Sequence, residues 1–221
     1  NAAVYNYRGS VYANNRRYEE AIDDFTRAIE LNDEPAACYH NRGIIHMHQG
    51  DLEAAIEDFN QAIRRNSEDP AIFNNCGNAY FKQGDYLRAI EDYDQALRLD
   101  ADNPAAFKNR GLAYSKLGNI QQAIKDYSRA LRLEPEDATT YTARGEAYDL
   151  VGNHQQAIQD YEQALAIEPD SAVALYNRAL AYYELGKYEQ ALQDFSQAIE
   201  IDDSSESQRA PERRTPSESA R

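Results

Sequence analysis

Small and apolar residues recur along this chain in two alternating stripes, both with the period of an α-helix. In the first stripe an aromatic residue, a glycine and a tyrosine stand at i, i+4 and i+7, as in Phe107, Gly111 and Tyr114. That spacing puts all three on one side of a helix. The second stripe sets an aromatic between two alanines, as in Ala123, Tyr127 and Ala130. Both return every 34 residues without insertion. The small residue of the first stripe recurs as Gly9, Gly43, Gly77, Gly111 and Gly145, then as Ala179. Three residues on stand Tyr12, His46, Tyr80, Tyr114, Tyr148 and Tyr182. The second-stripe aromatic recurs as Phe25, Phe59, Tyr93, Tyr127, Tyr161 and Phe195. Each unit is therefore predicted to be a helix pair, in which Gly and Ala let two backbones approach and the aromatics fill the space around them.

The punctuation between stripes agrees. Gly50, Gly84, Gly118, Gly152 and Gly186 fall where the first helix of a pair ends and suit left-handed C-caps. Asp69-Pro70 and Asn103-Pro104 read as an N-cap followed by proline in the first turn, and Asp137 and Ser171 take the same cap slot. The second helix carries a further apolar stripe, Ile22/Ile29 through Ile90/Leu97 to Leu192/Ile199. One helix pair cannot bury two stripes, so consecutive pairs must stack. The expected fold is all-α, an α-solenoid of six antiparallel helix pairs over residues 1–203, with repeats at about 2–35, 36–69, 70–103, 104–137, 138–171 and 172–205. Residues 204–221 are polar, contain two prolines and lose the periodicity, so they read as a tail that is flexible or docked in a groove. With no solvating helix evident after the last repeat, Leu192, Ile199 and Ile201 are expected to lie open.

This 34-residue pattern of aromatic, Gly and Tyr, then Ala, aromatic and Ala, resembles the tetratricopeptide repeat (TPR). Residues His46, Ala179 and Arg16 depart from it, the last in place of a helix-ending glycine. The resemblance implies a right-handed superhelix whose concave groove, lined by the first helix of each pair, binds a peptide or protein segment.

Charge narrows the partners. The chain carries 38 acidic and 23 basic residues, a formal net charge of −15. Such a field repels a phosphate backbone, so no nucleic acid is expected. No apolar run approaches the roughly 20 residues of a membrane span, so no membrane insertion is expected either. The chain opens on Asn1 and reads as an excised or processed piece without a signal peptide. Two cysteines at different helical positions, Cys38 and Cys76, read as reduced thiols, which favours a cytoplasmic setting.

The chemistry-bearing motifs of enzymes are missing. There is no phosphate-binding glycine loop, no His-Glu-x-x-His and no Cys-x-x-Cys. His40 and His48 share a helical face but stand about 12 Å apart along it, too far to share one metal ion. His46 occupies a core tyrosine slot and reads as packed. No catalytic residue, metal or cofactor is expected, and the protein reads as a non-enzyme.

The informative polar residues lie on the first helices. Asn41, Asn75, Asn109 and Asn177 repeat at one slot, interrupted at Ala143 and absent at Tyr7. An amide offers both an acceptor and donors, so asparagines repeated at one slot could pair with an extended chain whatever its side chains. The series resembles the asparagine ladder of O-linked N-acetylglucosamine transferases; the competing reading is a surface asparagine bonded to the neighbouring repeat's backbone. Arg8, Arg42, Arg110, Arg144 and Arg178 follow in the next slot, and each second helix places an aspartate before its aromatic, Asp24 through Asp194. These suggest structural ion pairs, with Cys76 leaving Asp92 unpartnered. The lysines and arginine that clamp chaperone tails in some TPR proteins have no match here.

The candidate peptide-binding residues are therefore the four asparagines with His40, Asn74, Asn78, Phe81, Lys82, Lys108, Leu112 and Lys116. The lysines of the middle repeats suit acidic ligand groups, and Glu146, Asp149 and Glu184 suit basic ones toward the C-terminal repeats. Three functions follow: a scaffold that grips an extended protein or peptide segment; a module forming homo-oligomers through open ends or the tail; and a regulatory or substrate-binding domain of a larger enzyme.

Overall fold

The computed structural model describes residues 1–31 and 36–209, with side chains to residue 203. Among the described residues it contains twelve α-helices: α1 (Ala2–Asn14), α2 (Tyr18–Glu30), α3 (Ala36–Gln49), α4 (Leu52–Arg65), α5 (Pro70–Gln83), α6 (Tyr86–Leu99), α7 (Pro104–Lys116), α8 (Ile120–Leu133), α9 (Ala138–Leu150), α10 (His154–Ile167), α11 (Ala172–Glu184) and α12 (Tyr188–Arg209). They fall into two compact units, Asn1–Pro135 and Glu136 onward.

In the first unit each odd-numbered helix pairs with the one that follows, and α2, α4 and α6 also pack against the next pair. The close approach depends on the glycines. A Cβ built on Gly43 or Gly77 would stand 2.8 Å or 2.7 Å from the ring of Phe59 or Tyr93, which the sequence pairs with it. Phe59, Cys76, Ala79, Ile90 and Tyr93 form a buried cluster, against which Ile44, Met47 and Phe81 pack. In the second unit α9 pairs with α10 and α11 with α12, and α10 packs on α11. Ala157, Ile158, Tyr161 and Ala181 form its centre.

The helix ends follow the expected chemistry. Side-chain oxygens of Asp69, Asn103, Asp137 and Ser171 accept from backbone N–H groups of the first turns of α5, α7, α9 and α11. Gly50, Gly84, Gly118, Gly152 and Gly186 all have positive φ, between 71° and 89°. Arg16, in the matching turn of the first pair, takes φ 59°.

The last helix runs past residue 203 to Arg209, so the start of the polar segment continues α12. Residues 210–221 lie outside the described residues. Leu192 and Ile199 are exposed and Ile201 is half-buried.

Candidate functional site

The slot after the ladder position builds a frame. Arg8, Arg42, Arg110, Arg144 and Arg178 each donate through Nε and a terminal nitrogen to both oxygens of Asp24, Asp58, Asp126, Asp160 and Asp194, at 2.6–2.8 Å. The five aspartates are buried. These forks fix the angle between the two helices of a pair, because a bidentate contact constrains orientation as well as distance. Arg42 also donates to Thr26 Oγ1 and Arg110 to Asp94, each reaching the second helix of the preceding pair.

With the helices so fixed, the asparagines line up on the first helices of unit one. Asn41 Nδ2 donates to Asn6 Oδ1 (3.2 Å), and Asn75 Nδ2 to Nε2 of His40 (2.8 Å). Asn109 Nδ2 donates to the Oδ1 atoms of Asn74 (3.3 Å) and Asn78 (2.9 Å). Each amide therefore reaches back to a side chain one repeat earlier. Bonding between neighbouring repeats was the structural alternative, but the acceptors are side chains and not backbone. Among the described residues nothing donates to Oδ1 of Asn41, Asn75 or Asn109, so each keeps an acceptor.

Asn78 is oriented more tightly. Its Oδ1 accepts from the hydroxyl of Tyr93 (2.8 Å) as well as from Asn109. Both lone pairs are used, which leaves its NH2 group as a donor. His40 is the acceptor for Asn75. Burial against Phe59, opposed by the charge of Asp69, lowers its pKa, so its contribution is a hydrogen-bonding nitrogen and not a cation.

The remaining candidates divide. Lys82 and Lys116 are exposed near the ends of α5 and α7, while Lys108 and Leu112 are half-buried. The Phe81 ring tilts against Tyr86 of α6 at 5.3 Å, so much of it serves packing between helices.

In unit two Asn177 repeats the reach, donating to Glu146 Oε1 (2.9 Å). Glu146 holds the position of Asn78, so the rung ends on a carboxylate there. Beside it Asp149 accepts from the Tyr161 hydroxyl (2.9 Å) and pairs with His154 Nδ1 (2.8 Å).

Asn6 and His154 were not singled out by the sequence, and Tyr93 only as a packing aromatic. Asn6 had a signal, since it precedes Asn41 by 35 residues, the spacing that also joins His40 to Asn75 and Asn74 to Asn109. Among the described residues no group of three or more His, Cys, Asp or Glu is placed to hold a metal. No described helix is long and apolar enough to cross a membrane.

Comparison with known proteins agrees with the fold. A family model described as TPR repeat matches residues 45–84, 77–118 and 150–186, and one described as tetratricopeptide repeat matches 2–35, 104–137 and 172–205. No curated protein matches the chain. Among solved structures, a crystal structure of MamA is 27% identical with a TM-score of 0.71, covering 75% of this chain and 96% of its own. YrrB, described as a TPR protein with an unusual peptide-binding site, is 25% identical with a TM-score of 0.70, covering 84% and 98%. Pseudomonas aeruginosa pilF, at 18% identity and a TM-score of 0.77 over 87% and 88%, shares the fold. The chain belongs to the tetratricopeptide repeat family, whose helix pairs serve as protein-interaction scaffolds.

Proposed function

We propose that this protein grips an extended segment of a partner protein along the asparagine-bearing face of its first helices, with Asn41, Asn75 and Asn109 as the rungs. The observation that carries the reading is the division of labour within each amide. Nδ2 is used to hold the preceding repeat, which orients the side chain, and Oδ1 is left to accept. A pre-oriented acceptor costs little conformational entropy on binding. Acceptors repeated at one helical slot match the N–H groups of an extended chain, and Asn78 adds a donor for its carbonyls. Lys82 and Lys116 stand near the same face and favour acidic ligand side chains. YrrB, a structural relative described as having an unusual peptide-binding site, supports a peptide as the ligand.

The test is panning of a phage-displayed dodecapeptide library on the wild-type chain and on the Asn41→Ala/Asn75→Ala/Asn109→Ala variant, with circular dichroism confirming an unchanged fold. Clones retained by wild type and lost on the variant support the proposal. Equal retention on both overturns it.

A further inference from the structure

We infer that a cavity between α9, α10 and α11 receives the side chain of a lysine or arginine carried by a bound segment. This inference rests on the reading of a bound segment and names the chemistry of one subsite for it on the second unit. The cavity measures about 510 Å3, within the range of roughly 300–1,000 Å3 usual for small-ligand sites. Its walls are aliphatic: Leu150 and Leu180 line it while remaining 68% and 40% exposed. A side chain with a methylene stem would cover both.

The polar rim selects the tip of that side chain. Asp149 is already committed, accepting from Tyr161 and pairing with His154. Glu146 accepts at Oε1 from Asn177, while no described residue donates to its Oε2. Glu184 lines the same cavity, exposed and without a bonded partner among the described residues. Two carboxylates thus still offer acceptors, and the wall contains no lysine or arginine.

An apolar occupant would strip water from these carboxylates without replacing it, and an acidic one would be repelled. A cation on an aliphatic stem satisfies both the walls and the rim. The slots also distinguish this site from the first unit: the position of Glu184 is held there by Lys82 and Lys116, and that of Glu146 by Asn78 and Leu112.

The experiment compares two fluorescein-labelled nonapeptide mixtures, identical except for a central arginine or its neutral isostere citrulline, titrated with the full chain by fluorescence polarisation. The arginine mixture should bind at least fivefold more tightly. That preference should vanish in Glu146→Gln/Glu184→Gln and survive in Glu189→Gln/Glu200→Gln, which removes the same charge from exposed positions outside the cavity. Glutamine keeps an acceptor for Asn177, so the first variant preserves the rung. Equal affinity for the two mixtures, or a preference that survives Glu146→Gln/Glu184→Gln, overturns the inference. Binding without an arginine preference, lost on Asn41→Ala/Asn75→Ala/Asn109→Ala, removes this subsite and leaves the groove standing. Absence of binding by either mixture defeats both.

Discussion

Cys76 faces Asp92 at the position where an arginine faces an aspartate in each of the five forked pairs. The thiol is fully buried, and Asp92 Oδ2 is buried with no hydrogen-bond partner. Burial raises the Asp92 carboxyl to about 6, against the lowering effect of a hydrogen bond from Cys76, and burial likewise pushes the Cys76 thiol up. A carboxyl raised by folding stabilises the native state when protonated. Its contribution is complete below the ordinary carboxylate range and is lost as pH rises through about 6.

Asp92→Asn should therefore change the pH profile of stability. Wild type should lose on the order of 2 kcal/mol between pH 4 and 7 from this group, and Asp92→Asn should lose that slope. Cys76→Arg, which supplies the partner used by the sister repeats, should raise stability at pH 7. Urea midpoints across that range check both; parallel profiles for wild type and Asp92→Asn would refute the assignment.

The forked pairs should be coupled. Arg144→Ala leaves Asp160 buried without its guanidinium, and because Arg144 is itself partly exposed the cost should be about 2 kcal/mol. Arg144→Ala combined with Asp160→Asn should cost clearly less than the sum of the two single changes. Thermal or urea denaturation of the four proteins measures this.

Gly77→Ala should destabilise by about 1–3 kcal/mol. The new methyl would lie 2.7 Å from Tyr93 Cε1 and 3.1 Å from the carbonyl oxygen of Ala89. Tyr93 cannot retreat without pulling its hydroxyl from Asn78, so peptide binding should weaken along with stability. The opposite sign is expected at Arg16, where glycine would relieve a left-handed backbone. Arg16→Gly should raise stability by up to about 1 kcal/mol, read as an increase in the urea midpoint.

The fold was legible because its determinants are local and repeated. Gly77 against Tyr93 and Asp69 before Pro70 each declare a contact at fixed spacing, and six copies remove the ambiguity of one. The arginine–aspartate forks were legible for the same reason, as was the missing arginine opposite Asp92. The candidate site was only partly so. Sequence located the asparagines, but which amide atom is used and which is left depends on distances between repeats. His40 is legible in the chain only as a candidate binding residue, and its burial against Phe59 and its bond to Asn75 make it an acceptor. Phe81 reads as a groove anchor until Tyr86 takes part of its face. The extension of α12 to Arg209 was hidden because polarity and the prolines beyond it mask a continuing helix.

In the proposed complex the ladder asparagines accept from the backbone of the bound segment. A double-mutant cycle on one selected peptide tests it most directly, pairing Asn109→Ala in the protein with single N-methylation of the peptide amide that contacts it. Each change alone should weaken Kd by about tenfold, the loss of a single hydrogen bond with its desolvation, and the two together should cost little more than either. Fully additive losses, or no loss on Asn109→Ala, would contradict the account.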